Sequence, residues 1–198
     1  MKRIDIILAI VTGEVAAWFF YGILKTLKID FGFLFWISTI LFPAVTLFCL
    51  WISYLIGKKF LFVFQVAKFV LVGVLATVVD LGAFNALILF SGIASGFYAS
   101  VFKGITFIVS TCSKYSLDKF WAFEKMEKAG MRREFSQFFV VTLIGFVVNV
   151  GLFSFIDNVI GPQFGIETKL WANLGAILAA VLTAAWNFLG YKFIVFKK

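Results

Sequence analysis

The chain has no histidine among its 198 residues. That excludes His-centred triads, imidazole general bases and His metal ligands. Cysteine is nearly as scarce. Cys49 and Cys112 stand alone in apolar runs and provide neither a metal-ligand spacing nor a disulfide framework. Charge is also short, at 14%, against roughly 25% in soluble domains. No glycine-rich phosphate loop is present, no acid pair stands outside the apolar runs in a cleft-forming segment, and no polar stretch is long enough to fold alone. The residues therefore predict a protein that is not an enzyme, with no catalytic residues, no metal site and no cofactor.

What is abundant is apolar surface. Hydrophobic residues make up 63% of the chain, aromatics 20%, Phe alone occurs 28 times, and the mean hydropathy is +1.05. A soluble core of this size would leave that excess as exposed apolar patches. Lipid is the solvent these figures require, so the fold class is an all-α integral membrane protein. A membrane helix needs ~20 mostly apolar residues, and six stretches qualify: about 4–24, 31–56, 69–91, 98–117, 135–157 and 171–191. The first is too long for a signal-peptide h-region and carries Glu14 in its middle, so it reads as a retained span. Pro43 removes a backbone donor in mid-helix and predicts a kink in the second span. The run Phe60–Lys68 reads either as a segment along the inner interface or as an extension of a neighbouring span.

Basic residues orient the chain. With both termini cytoplasmic, thirteen Lys and Arg fall in inner segments and three, Lys25, Lys28 and Lys169, fall outside. The positive-inside rule then predicts a multi-pass protein with both termini cytoplasmic, and the expected location is the cell (plasma) membrane. The net charge of +8 is an inner-leaflet charge that attracts anionic lipid heads. With no soluble basic domain to carry it, it does not point to nucleic acid.

The second half of the chain repeats itself. Lys68 to Val72 and Val78 to Phe84 match Gln137 to Val141 and Val147 to Phe153 at a constant offset of 69, pairing Asp80 with Asn149 and Gly82 with Gly151. Each unit closes on a similar block: Lys119, Phe120, Phe123 and Lys125 meet Lys192, Phe193, Phe196 and Lys198 at an offset of 73. Each unit holds two spans and both enter from the same side, so the repeat is parallel, about an axis along the membrane normal.

The "KFVLVG…D" opening and the basic-aromatic "KFWAF" closing block, both occurring twice in order, resemble the GtrA-like family over residues 65–198. Asn187, Lys192, Phe193, Val195 and Phe196 fit the family's closing pattern, whereas the first copy has Lys114 where Asn is expected. The resemblance implies a four-helix domain, 65–198, of two parallel-repeat helix pairs. Residues 1–60 then form an N-terminal transmembrane helix pair added to it. It also implies a role with polyprenyl-phosphate-linked sugars in cell-surface polysaccharide or glycan synthesis.

Four ionisable groups lie inside spans: Glu14, Asp80, Lys103 and Lys114. Such groups cost ~2.5–3.5 kcal/mol even on lenient scales, so they face a partner or a wet cavity. Lys103, Thr106, Ser110, Ser113 and Lys114 recur at helical spacing as one polar stripe on the fourth span. Its alternatives are a polar cavity and a tight helix contact. On the sixth span, Ala172, Ala176, Ala180 and Ala184 form one small-residue ridge and Gly175, Ala179, Thr183 and Asn187 the next. Asn149 and Asn187 read as interhelical hydrogen-bonding groups, and Trp36, Trp51, Trp121 and Trp171 as interface anchors.

Taken with the resemblance, the leading expectation is translocation (flipping) of a polyprenyl-phosphate-linked sugar. Lys103, Lys114, Lys119 and Lys192 would bind phosphate, while Asp80, Thr106, Ser110, Ser113, Asn149, Asn187 and Glu14 would line the polar path. The alternative is a non-transporting membrane anchor or scaffold for a cytoplasmic polyprenyl-phosphate glycosyltransferase. Membrane lipid, the lipid-linked sugar, that enzyme and a second copy of the chain are the partners these readings admit.

Overall fold

The computed structural model of the protein describes residues 1–26, 32–93, 96–127 and 129–197. Among them are six α-helices: α1 (Arg3–Thr26), α2 (Gly32–Gly57), α3 (Leu61–Ser91), α4 (Gly96–Leu117), α5 (Met131–Ser154) and α6 (Thr168–Gly190). Three π-helical segments follow α4, α5 and α6, at Asp118–Ala122, Phe155–Ile160 and Tyr191–Val195. No strand occurs among the described residues, so the protein is all-α.

Five helical stretches are long and apolar enough to cross a bilayer: Arg3–Tyr21, Gly32–Gly57, Leu61–Ser91, Met131–Ile160 and Ile177–Val195. The sixth expected span, α4, has 22 residues, enough for ~33 Å at ~1.5 Å per residue. Its polar stripe sets it apart from the other five. Helix α3 begins at Leu61 and runs unbroken for 31 residues. Phe60–Lys68 is thus the extended start of the third span, one of its two sequence readings. Large apolar side chains point outward, among them Trp36, Ile40, Phe90 and Phe97. That is the inverse of a soluble surface, as a lipid solvent demands.

The chain forms two compact units, Met1–Glu124 and Lys125–Lys198. In the first, α1 and α2 lie antiparallel. They meet where Gly13 faces Pro43: a Cβ on Gly13 would collide with the Pro43 backbone, and with Thr46 Oγ1 at 2.5 Å. Thr46 caps the same contact by donating to the Ala9 carbonyl at 2.9 Å. Gly57 likewise lets α2 approach α3, since a Cβ there would stand 2.6 Å from Phe64 Cβ. Helix α4 packs antiparallel on α3, and the π segment after it folds back onto α3.

The second unit follows the same local plan. Helices α5 and α6 pair antiparallel, and the π segment after α6 packs on α5. Of the two small-residue ridges, the one through Gly175, Ala179 and Asn187 meets α5 and its extension. Gly175 faces Ile156, Ala179 is fully buried and Asn187 lies against Gly145. Ala180, on the other ridge, is exposed, and the side chains of Ala172 and Ala176 are outside the described set. The closing π segments run from 118 to 122 and from 191 to 195, the repeat's offset of 73 at both ends. Each is sealed by the same bond, Phe123 N–H to the Asp118 carbonyl at 2.8 Å and Phe196 N–H to the Tyr191 carbonyl at 2.7 Å.

Candidate functional site

On α4 the polar stripe turns towards α3. Thr106 is fully buried and donates to Asp80 Oδ1 at 2.8 Å. Ser110 is buried and returns its hydroxyl to the Phe107 carbonyl, while Ser113 does the same to Val109. Thr111, which the sequence reading did not single out, is buried beside them. At the basic end, Lys114 Nζ pairs with Asp118 Oδ2 at 2.5 Å and stands 4.4 Å from the centre of the Phe69 ring. The acid facing Lys114 is therefore on the next turn of its own helix. Asp118 is fully enclosed, and its second oxygen, Oδ1, accepts no hydrogen bond among the described residues. The side chain of Lys103 lies outside the described residues. Glu14 is half-buried and accepts from Trp18 Nε1 at 3.1 Å.

The two repeat-equivalent lysines differ in exposure. Lys119 is completely buried, with its ammonium 6.0 Å from the Tyr115 ring and 5.8 Å from the Phe120 ring. Lys192 is half-buried, 5.8 Å from the rings of both Phe188 and Phe193. In the second unit, Tyr191 takes the place of Asp118. Its ring stacks on Phe138 at 4.3 Å and its hydroxyl shares a hydrogen bond with Thr142 at 2.7 Å. Asn187 Oδ1 is buried without a donor among the described residues, and Asn149 is half-buried on α5. Trp171 and Trp186 donate across the helix pair, to the carbonyls of Ile156 and Val141.

A further charged cluster sits at the basic end of the first unit, and sequence reasoning missed it. Lys68 is 1% exposed and pairs with Asp5 at 3.0 Å and with Glu124 at 2.9 Å. It also donates to the Trp121 carbonyl at 3.4 Å, and its ammonium lies 4.4 Å from the Phe64 ring. Asp5, equally buried, accepts from Trp121 Nε1 at 2.8 Å and from the Lys2 backbone N–H at 2.6 Å. Trp121 is thus an interior residue rather than an interface anchor, because its indole N–H has a buried carboxylate to satisfy. Lys68, read from sequence as one more inner basic residue, is the cation that ties α1 to the π segment.

Glu124 closes the cluster through a second bond, accepting from Lys2 Nζ at 2.8 Å. Its backbone lies in the left-handed region, φ 51°, a strained position for a residue with a side chain that surrounding contacts must hold. Burial pushes its carboxyl upward, but the hydrogen bonds and charges of Lys2 and Lys68 outweigh this and hold it below the ordinary 4.5. The only sequence signal for this cluster is an acid in the first turn of an apolar helix. Its distant partners, Lys68 and Trp121, are 63 and 116 residues away. The second unit has a smaller counterpart, Lys125 paired with Glu134 at 2.7 Å and donating to the Lys197 carbonyl at 3.1 Å.

Comparison with curated proteins and with solved structures finds no match for this chain. A comparison with family models matches residues 68–196 to the GtrA/DPMS transmembrane domain, spanning both helix pairs and both closing segments. The chain belongs to the GtrA/DPMS transmembrane domain family.

Proposed function

We propose that this membrane protein translocates a polyprenyl-phosphate-linked sugar across the bilayer, for cell-surface polysaccharide or glycan synthesis. Family membership points to polyprenyl-phosphate sugars. The observation that carries the transport reading is the part-buried polar face of α4: Thr106 bonded to Asp80 of α3 at mid-helix, and Lys114 paired with Asp118 of the following π segment at the basic end. A carboxylate at mid-span and a lysine near the end of the next span are costly in lipid, which supports a polar path at that depth.

In this mechanism Lys103 and Lys114 hold the phosphate at successive depths through charge-assisted bonds. Asp118 neutralises Lys114 when no phosphate is present, so that the lysine is not left alone in the membrane. Asp80, Thr106, Ser110 and Ser113 line the path within the first repeat, Asn149 and Asn187 serve the second, and Glu14 faces the path from α1. Lys119 and Lys192 take the head at the inner leaflet. The body that does this is the domain 65–198, with 1–60 as an added pair and both termini cytoplasmic. It has no catalytic residues, so sugar transfer belongs to a separate glycosyltransferase.

The test is reconstitution of the purified chain in vesicles with a fluorescent polyprenyl-phosphate sugar on one leaflet. Transport should occur without any partner, and Lys103→Met and Lys114→Met should each reduce it at least tenfold while the protein still folds. Normal transport by both variants would overturn the phosphate-ladder mechanism. An inactive parent that instead recruits a glycosyltransferase to the membrane would establish the scaffold reading, for which exposed Arg132 and Arg133 provide a docking charge.

A further inference from the structure

Beside the Lys68 cluster, at the same end of the first unit, lies a cavity of about 330 Å³. That is at the lower end of the ~300–1,000 Å³ typical of small-ligand sites. Its walls are mainly apolar, from Met1, Tyr54, Gly57, Leu61 and Phe64, and its charged side chains are Lys2, Lys58, Asp5 and Glu124. The two acids are already engaged. Asp5 is held by Lys68 and Trp121, and Glu124 by Lys68 and Lys2. The cations are less committed. Lys58 is exposed and lies 5.4 Å from the centre of the Tyr54 ring, and Lys2 is exposed, its ammonium paired with one carboxylate among the described residues.

Apolar walls and two displaceable ammonium groups define the chemistry of an occupant. An anionic head satisfies Lys58 and takes Lys2 from Glu124, which keeps its bond to Lys68. A short stretch of hydrocarbon fills the space against Leu61 and Phe64. The geometry points to a second, regulatory or anchoring lipid site in this cavity, which binds the phosphate head and first carbons of an amphiphile.

Two features place this site outside the translocation path. Every lining residue except Glu124 comes from the N-terminal addition or the α2–α3 junction, and all precede the family match apart from Glu124. Gly57 and Phe64, where α2 and α3 approach closely, are both in the lining. Its occupant reads the contact between the added helices and the first closing segment, since Lys2 and Glu124 belong to both the cavity and the Lys68 cluster. The site does not depend on transport and is tested without it.

The full chain, purified in detergent, would be titrated by calorimetry with dioctanoyl phosphatidic acid, farnesyl phosphate, dioctanoylglycerol and inorganic phosphate. At least one of the two phosphate amphiphiles should bind, and dioctanoylglycerol should not. Lys58→Met should weaken binding about tenfold, the scale of one lost charge-assisted bond, and Lys2→Met should do likewise. Lys58 makes no ion pair among the described residues, so its variant should fold as the parent does. Lys59→Met, next to it but outside the cavity lining, should leave affinity unchanged. Equal loss from Lys59→Met would show diffuse surface attraction and overturn the site. Equal binding of dioctanoylglycerol would overturn the role of phosphate, and equal binding of inorganic phosphate would overturn the role of the chain. Tighter binding of farnesyl phosphate assigns the site to polyprenyl carriers, and tighter binding of phosphatidic acid assigns it to membrane phospholipid. Both support the site, and neither depends on Lys103 or Lys114.

Discussion

At the scale of single residues, Glu124 concentrates the most information. It bonds two lysines, one exposed and one buried, from a backbone position that side chains rarely adopt. Its pKa is lowered, so its stabilising contribution is fully present above the ordinary carboxylate value and is lost as pH falls through the depressed folded value. Thermal unfolding in detergent should therefore show the parent above Glu124→Gln in Tm at pH 7, with the gap closing below pH 4.5. A gap that stays constant from pH 7 to pH 3 would mean the lysines stabilise Glu124 by shape alone. The same residue shows why a charge count misleads. Lys2, Lys68 and Lys119 all read as cytoplasmic positive charge, yet Lys68 and Lys119 are enclosed and only Lys2 reaches solvent.

At the scale of helices, close approach depends on where glycine lies. Gly13 and Gly82 both sit mid-helix, and the sequence does not distinguish them. A Cβ on Gly13 would strike the Pro43 backbone of α2, which cannot yield, whereas one on Gly82 meets nothing within 4 Å. Gly13→Ala should destabilise by about 1–3 kcal/mol through overpacking. Gly82→Ala should be neutral or stabilising by up to about 1 kcal/mol, since alanine favours helix. Denaturant titration of the two variants side by side checks this, and equal effects would sink the α1–α2 contact. The π segments make a related point: each closing block turns its last residues onto the first helix of its own pair. In the first, Asp118 is enclosed beside Lys114 of the second helix, and in the second Tyr191 stacks on Phe138 of the first. The backbone plan is repeated while the chemistry inside it has diverged.

At the scale of the whole molecule, orientation governs every site. The thirteen-to-three excess of basic residues predicts that Met126 faces the cytoplasm and Gln163 the opposite side. Met126→Cys and Gln163→Cys, each in a chain with Cys49→Ser and Cys112→Ser, should react with an impermeant maleimide from the inside and the outside respectively. The reverse pattern would turn the chain over, and with it the leaflet from which Lys119 and Lys192 take a lipid head.

Membrane class, helical spans, the doubled unit and the family were all legible in the residues, because hydropathy and repeat offsets are properties of the line of sequence. Residue pairs 69 and 73 apart need no coordinates to be seen, and the closing segments fall at that second offset. The sequence also found the polar stripe on α4. It did not reveal the partners of those charges. Asp80 received Thr106 of the facing helix, and Lys68 received an acid from the first turn of the chain. Which charges meet depends on the depth and rotation of each helix against its neighbour, and a shift of one residue turns a side chain by ~100° at 3.6 residues per turn. Local composition carries no such angle, so tertiary packing alone decided which polar groups were buried together.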